Sequence, residues 1–161
     1  MAVGYLNFNT LHTVVELTDL IATHYGAHIW NIRTAKDRDN GVVVGKGAYE
    51  GDDVYTEGAA TAFEGVVRET TASGRYLIEV TKADGAILLA QPEENYYEFE
   101  TAAKAPSQFY NAQGDVVRGY SLTVGDRFAV SKEGFTTTPS KETIGKTVTA
   151  DADTKKFVIG A

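Results

Sequence analysis

Three histidines near the start of the chain are the first residues whose type and spacing could do chemistry. His24 and His28 are four positions apart, so on a helix they would share a face and could bind a metal ion, with Glu16 or Asp19 as a third ligand. The pair lacks the glutamate that follows the first histidine in a zinc-protease helix. Polar or half-buried surface histidines, His12 included, are therefore the favoured interpretation, and a metal site is the alternative.

Two glycine-containing stretches superficially resemble phosphate-binding loops. In GVVVGKG, Gly41–Gly47, the spacing is one residue short, and Gly47 stands where a serine or threonine must reach magnesium. Gly145-Lys146-Thr147 follows a polar loop instead of a buried strand, and Ser140 occupies the position that needs glycine. Both stretches are predicted to be strands and turns.

Acidic residues cluster at Asp52-Asp53, at Glu93-Glu94, and at Glu98 with Glu100. Paired carboxylates hydrolyse glycosidic bonds when their surroundings drive their pKa values apart. Adjacent acids on an extended strand point to opposite faces, so Asp52-Asp53 would not converge on one substrate. The stretch EGDDVYTEG places oxygen ligands beside glycines, which leaves calcium binding open, although it lacks the spacing of an EF-hand loop. Ordinary acidic surface is the favoured interpretation.

The inventory of nucleophiles is also poor. The chain has no cysteine, which excludes disulfides, thiolate catalysis and zinc–cysteine sites. The G-x-S-x-G turn that exposes a nucleophilic serine does not occur. We therefore expect no enzymatic activity and no cofactor.

Charge and composition narrow the class of partner. The 161 residues carry a net charge of −7 and the isoelectric point is about 4.9, so nucleic acid and anionic membranes are not expected partners, whereas a basic protein surface is an acceptable one. No run of 18 apolar residues is present, and the start MAVGYLNFNT lacks the features of a secretion signal. We expect a protein that is made and assembled inside a cell.

Aromatic residues are the candidates for an interface. The set comprises Tyr5 and Phe8 near the N-terminus and Tyr96, Tyr97, Phe99, Phe109 and Tyr110 in the second half of the chain. Exposed aromatics anchor protein interfaces or stack on sugars, and burial in a core is the alternative.

The elements that must position these residues are predicted to be mainly strands. Strand signals recur every 8–15 residues with glycine-containing turns between them, which favours a small β-barrel or sandwich with at most one or two short helices. The expected organisation is an N-terminal extended arm over residues 1–10, a β-rich part over 11–91, a connection over 92–115 and a C-terminal β part over 116–161. The C-terminal part, 116–161, can form one domain with the part that precedes it.

Two segments carry more specific predictions. The apolar spacing of Leu11–Trp30 suits one face of a helix, and a pair of strands broken near Thr18-Asp19 is the alternative. In Tyr76–Ala90, alternation about the turn Ala83-Asp84-Gly85 predicts a β-hairpin.

The stretch TVGDRF, Thr123–Phe128, looks like a site but offers neither a histidine nor a phosphate loop. Gly125 permits a tight bend and Asp126 can bond nearby backbone, so Val124 and Phe128 are predicted to point inward from two consecutive strands.

The C-terminal third also carries a family resemblance. The stretch GDVVRGYSLTVGDRFAVSKEGF, a short linker and the final strand KKFVIGA are similar to small β proteins of bacteriophage virions, and the start MAVGYLNFNT also resembles phage structural proteins. The nearest type is the decoration, or cement, protein that sits on the assembled head. The resemblance covers the last 50 residues or so, and the region HYGAHIWNIRTAKDRDNG departs from the shortest members.

The resemblance implies a structural virion protein on the capsid surface, assembled in the host cytoplasm. Its partners would be the major capsid protein and further copies of the chain, and its action would be to bridge capsid subunits. A head-fibre base or another head component is an alternative, and so is a carbohydrate-binding or adhesion module that uses the aromatic residues.

Overall fold

The computed structural model describes residues 12–25, 29–59, 62–91 and 109–160, and the fold is mainly β, as predicted. The strands are β1 (Val15–Asp19), β2 (Ile29–Arg33), β3 (Val43–Gly51), β4 (Val54–Gly58), β5 (Ala62–Thr70), β6 (Tyr76–Asp84), β7 (Ile87–Leu89), β8 (Val116–Ser121), β9 (Arg127–Val130), β10 (Thr147–Ala150) and β11 (Phe157–Ile159). One α-helix, α1 (Ile21–Tyr25), and two 3-10 turns (Lys132–Gly134, Lys141–Thr143) complete the described elements.

The strands form a closed barrel and a separate sheet. The barrel has the order β2-β4-β3-β7-β8 and closes where β8 pairs with β2. The β2–β4 pair is parallel and the other barrel pairs are antiparallel. The sheet has the order β1-β9-β6-β5-β10-β11. The C-terminal region therefore contributes β8 to the barrel and three strands to the sheet.

Strand β7 and the first residues of β3 are buried on both faces and join the barrel to the sheet. In β7, Ile87 and Leu89 belong to the barrel interior, whereas Leu88 belongs to the larger core, which includes Phe128 and Phe157 of the sheet. The residues in and next to the start of β3 alternate in the same way, with Val42 and Val44 inside the barrel and Val43 in the larger core. Apolar residues without alternation are typical of a strand buried on both sides.

The helix predicted for Leu11–Trp30 is wrong over most of its length. Residues Val15–Asp19 form β1, because they pair with β9, and only Ile21–Tyr25 is helical. Asp126 accepts a hydrogen bond from the N–H of Ile21 at 3.2 Å, where this single turn of helix begins. The break after Asp19 agrees with the alternative of two strands, and the second strand begins at Ile29.

The hairpin predicted for Tyr76–Ala90 is also wrong. Strand β6 pairs with β5 and β9, whereas β7 pairs with β3 and β8 in the barrel. Gly85 has a φ of 70°, and the chain passes from sheet to barrel there. The predicted turn is right only at Gly85, because Ala83 and Asp84 are the last residues of β6 and pair with Phe63 and Ala62. The apolar run after Gly85 goes to a different layer.

The TVGDRF stretch is a bend, as predicted, but it does not turn Val124 inward. Gly125 has a φ of 96°, and the Asp126 carboxylate accepts the N–H of Thr123 at 2.8 Å. Phe128 is fully buried, whereas Val124 is 61% exposed. The inward residue before the bend is Leu122, because the chain leaves the barrel after β8 and enters the sheet at β9.

Two of the predicted segments lie wholly or mostly outside the described residues, and one predicted turn is only partly confirmed. The arm over residues 1–10 and most of the connection, residues 92–108, lie outside the described residues. The stretch KDRDNG, Lys36–Gly41, whose Asn-Gly ending predicts a turn or hairpin, does turn at Gly41 with a φ of 83°. It does not join paired strands, because β2 pairs with β4 and β8.

Gly119 tests how tightly the barrel interior is packed. A Cβ atom at this position would lie 2.5 Å from Cγ2 of Ile87 and 3.2 Å from Cγ1 of Ile32. We expect Gly119→Ala to lower the free energy of unfolding by about 1–3 kcal/mol, because the interior has to shift to admit one methyl group. Urea denaturation followed by tryptophan fluorescence measures the loss. The same change should cost less in an Ile87→Ala background, and equal costs in both backgrounds would contradict the proposed clash.

Candidate functional site

A buried ion pair lies where the loop after β2 meets the barrel. The guanidinium of Arg38 donates to the Glu57 carboxylate at 2.7 Å from Nη2 and at 3.1 and 3.2 Å from Nε. The two side chains are only 6% and 3% exposed. Arg38 also donates from Nη1 to the carbonyl of Asp153 at 2.7 Å, and Glu57 accepts the N–H of Ala35 at 3.1 Å. Such a pair is well compensated, because each charge has several partners at once.

Amide side chains extend the buried ion pair into a larger polar network, which we call the polar layer: Arg38, Glu57, Asn40 and Asn111. Asn40 accepts from the N–H of Gln91 and from the amide of Asn111, both at 3.0 Å, and it donates to the Gln91 carbonyl at 2.9 Å. The backbones of Arg38 and Asn111 exchange two hydrogen bonds of 2.8 Å. The layer therefore fixes the chain on both sides of the undescribed connection, at Gln91 and at Asn111.

A histidine and an aspartate form a second pair beside this layer. Nδ1 of His12 lies 2.7 Å from Oδ1 of Asp39, and its ring stacks on Tyr110 with a centroid distance of 4.9 Å. The other carboxylate oxygen of Asp39 accepts the N–H and the hydroxyl of Thr13, at 3.1 and 3.2 Å. Nζ of Lys156 lies 3.6 Å from the same oxygen.

These contacts set the acidity of Asp39. Burial by itself would raise the pKa, but the bonds from His12 and Thr13 and the charges of His12 and Lys156 favour the ionised form. Together they hold the pKa of the Asp39 carboxyl below its usual value. Asp39 is therefore an anion at neutral pH that orients the imidazole.

The histidine and aspartate face a cleft of about 360 Å³ with charged walls. Among the described residues, the arrangement lacks a reacting partner. An imidazole oriented by a carboxylate is half of a general-base arrangement, which also needs a nucleophile on the other ring nitrogen. The Thr13 hydroxyl donates to Asp39 instead of to His12. Across the cleft, Lys36 pairs with Asp153 at 2.6 Å, and Asp37 accepts the N–H of Gln113. The geometry is that of a structural junction between β1, the loop after β2 and residues 150–156.

An aromatic cluster with one exposed ring includes Tyr55, two residues before Glu57 in β4, and we call it the aromatic patch: Trp30, Tyr49 and Tyr55. Tyr49 and Tyr55 are direct partners in the β3–β4 pair, with ring centroids 5.2 Å apart. Trp30 meets Tyr55 edge-on at 5.6 Å and donates from Nε1 to the Ser121 hydroxyl at 2.7 Å. Trp30 and Tyr55 pack against the barrel core, whereas Tyr49 is 61% exposed.

One lysine covers part of this patch. Nζ of Lys46 lies 4.0 Å from the centroid of the Trp30 ring and 4.8 Å from that of Tyr55. A cation over an aromatic face is attracted to the negative charge of the ring face. The patch therefore already binds a cation of its own chain on two of its three rings.

The turn beside the patch is held by its own contacts. Asp52 and Asp53 have φ angles of 52° and 63°, so both are in the left-handed region of a tight turn and not in an extended strand. The N–H of Asp53 donates to the Tyr49 hydroxyl and Asn31 donates to the Asp53 carbonyl, both at 3.4 Å. The sequence argument about opposite strand faces therefore does not apply to these two acids.

The structure keeps most of the predicted site residues apart or leaves them outside its description. Tyr5, Phe8, His28, Glu93, Glu94, Tyr96, Tyr97, Phe99 and Glu98 with Glu100 lie outside the described residues, as does the side chain of His24. Phe109 and Tyr110 are half-buried, and Tyr110 contacts His12. Within the described ranges, no three histidine or acidic side chains come close enough to hold a metal ion. None of the described helices is long and apolar enough to cross a membrane.

Sequence reasoning missed the aromatic patch and the Arg38–Glu57 pair. The patch had a usable signal, because YEGDDVY places two tyrosines symmetrically about a turn, which predicts a cross-strand pair. The ion pair had no such signal in the sequence, because the segments that carry Arg38 and Glu57 come together only when the barrel forms.

Comparison of the chain with protein-family models, with curated proteins and with solved structures gave no match.

Breaking the buried ion pair should be costly. We expect Glu57→Gln to lower the free energy of unfolding by about 3–5 kcal/mol, because it leaves the Arg38 charge buried without its counter-ion. The matched control is Glu50→Gln, which removes the partner of Arg33 in a half-exposed pair with an N–O distance of 2.8 Å. That change should cost less than about 1 kcal/mol. Equal losses in urea denaturation would contradict the structural role of the buried pair.

The His12–Asp39 contact predicts a pH dependence of stability. Because the folded pKa of Asp39 is lowered, its contribution is complete above the unfolded pKa of about 4 and disappears as the pH falls through the folded value. The wild type should therefore exceed Asp39→Asn in free energy of unfolding at pH 6, and the difference should shrink steadily below about pH 4. A difference that stays constant from pH 6 to the acid limit of folding would refute this role of Asp39.

Proposed function

We propose that this protein is a structural virion protein that binds the outside of a tailed-phage head and stabilises the capsid by bridging major capsid protein subunits. In this role the chain acts as a clamp and carries out no catalysis. The resemblance of the C-terminal third to decoration proteins supports the phage assignment. The observation that carries the binding role is the aromatic patch, whose outer ring, Tyr49, is 61% exposed on a strand pair fixed to the barrel.

The patch has the chemistry of an interface anchor. Tyrosine and tryptophan supply large contact areas at low cost in side-chain entropy, and they are enriched among the residues that dominate binding energy. Burial of apolar area contributes about 25 cal/mol per Å², so a few hundred Å² per copy would contribute several kcal/mol before ordering costs. Many copies on one shell would multiply a modest contact through avidity.

The barrel and sheet support a clamping role mechanically. A clamp has to resist deformation when the subunits that it bridges move apart. Strand β7 and the buried start of β3 connect the barrel interior to the larger core, and Tyr49 lies further along β3. A load on the patch would therefore be transmitted into packed core and not into a loose loop.

A carbohydrate-binding or adhesion module is the second candidate, because exposed tyrosines beside polar groups also stack on sugars. Asp53, which contacts Tyr49, and Asn31, which contacts Asp53, could bond sugar hydroxyls. A head-fibre base is a variant of the first proposal, with a fibre as an additional partner.

The test uses particles of the phage that encodes this chain, prepared with and without the protein. We expect particles that lack it to release their DNA at lower temperature or lower salt, as detected by a DNA-binding dye, and purified protein to restore stability. Its copy number should stand in a fixed ratio to the major capsid protein on gels. Unchanged particle stability together with no association would contradict the proposal. Binding to a glycan array without binding to particles would favour the second candidate.

A further inference from the structure

We propose that the tip of the β3–β4 pair, Tyr49–Tyr55, is the face that contacts the partner, and that the partner presents arginine side chains to it. This inference rests on the proposed function and specifies the chemistry of that contact. The proposed interaction surface is centred on Tyr49, which is exposed, whereas Trp30 and Tyr55 pack against the barrel core.

Tyr49 is exposed but not loosely held. Its ring packs against Tyr55, whose own ring rests on Trp30 and the barrel core. Its hydroxyl accepts the N–H of Asp53 across the turn. A ring that is already fixed loses little conformational entropy on binding, so its contact area converts efficiently into affinity.

The charge beside the ring selects a cationic partner. Asp52 and Asp53 are exposed at the turn, and none of the ion pairs among the described residues uses either carboxylate. Glu50 is different, because it already pairs with Arg33. The whole chain carries a net charge of −7, so a basic surface would be attracted at long range as well as at the contact.

The patch contains its own example of the contact that we propose. Lys46 lies over the faces of Trp30 and Tyr55, so the cation–aromatic geometry of this surface is already in use on two rings. Among the described residues, no cation lies over Tyr49. The third ring is therefore available to a cation from outside.

Arginine fits this combination better than lysine does. A guanidinium is planar, so it stacks on an aromatic ring, and its N–H groups point outward in a fork that matches carboxylates. At this tip one arginine could stack on Tyr49 while it donates to Asp52 or Asp53. Lysine offers only a compact, strongly hydrated charge that cannot make both contacts in the same way.

The test uses full-length protein, two variants of the tip and two controls. The variants are Tyr49→Ala, which removes the ring, and Asp52→Asn with Asp53→Asn, which removes the charges while asparagine keeps the left-handed turn. Tyr49→Phe retains the ring. Glu64→Gln with Glu69→Gln removes two exposed charges from β5, away from the patch, and so controls for net charge. Thermal unfolding midpoints close to that of the wild type would show that each variant folds.

The probes are a short peptide of alternating arginine and glycine, its lysine counterpart, and particles that lack the protein. In NMR titrations with the arginine peptide we expect amide shifts around residues 46–55. Tyr49→Ala and the double asparagine variant should each weaken peptide and particle binding about tenfold. The β5 control should stay within about twofold of the wild type, and the lysine peptide should bind more weakly. Tyr49→Phe should lose less than Tyr49→Ala, because it keeps the ring although it loses the hydroxyl that accepts the Asp53 N–H.

The outcomes separate this inference from the proposed function. Particles that bind the wild type and Tyr49→Ala equally would overturn the inference and leave the proposed function standing. Particles that bind neither would contradict the proposed function instead. Equal binding of both peptides, equal weakening in the β5 control, or shifts with an uncharged oligosaccharide alone would each overturn the assignment of an arginine-bearing partner.

Discussion

Burial of β7 and of the start of β3 on both faces is the constraint on which the rest of the structure depends. A five-stranded barrel encloses a small interior, here filled by residues such as Ile32 and Ile87. Its outer face would be exposed if the sheet did not cover it, and Val43 and Leu88 supply the contact. Because successive side chains of a strand point to opposite faces, a shift of one residue in either strand would exchange the two cores. Register, barrel closure and the position of the sheet are therefore specified together.

The polar layer around Arg38 supplies hydrogen-bond partners for the charged and polar groups that the fold buries at the loop after β2. A buried arginine is costly to desolvate, and the pair with Glu57 is weak evidence for stability by itself. Its value lies in specificity, because Arg38 can satisfy its donors only when Glu57 of β4 and the carbonyl of Asp153 are both in place. The layer thus couples a barrel strand to the turn between β10 and β11. Removal of one partner leaves a buried charge without its counter-ion, so we expect the layer to tolerate little change.

The sequence was a good guide to strands and turns and a poor guide to which strands meet. Alternation in Tyr76–Val80 and the bend at Gly125 were readable because both are local properties. The partners of β6 and β7 were not, since Gly85 sends the chain to another layer, and nothing within a few residues of it specifies that layer. Leu11–Trp30 failed as a helix for the same reason: pairing with β9, more than 100 positions away, outweighs a local preference. At the candidate site, the tyrosines of YEGDDVY were locally readable, whereas the His12–Asp39 contact required the fold.

The two clusters of polar and aromatic groups differ in whether their interactions are already complete. In the cleft beside His12, the charged groups have partners within the chain: Asp39 is bonded to His12 and Thr13, and Lys36 to Asp153. Additional ligands would have to displace contacts that already stabilise the fold. At the tip of the β3–β4 pair the internal contacts fix the backbone and two rings but leave the face of Tyr49 and two carboxylates accessible. A surface that is rigid yet incompletely satisfied gains the most from binding, because little order has to be created and favourable contacts remain to be made. Groups without internal partners, more than the mere presence of charged or aromatic residues, are therefore the reason to expect the partner at the tip of the β3–β4 pair.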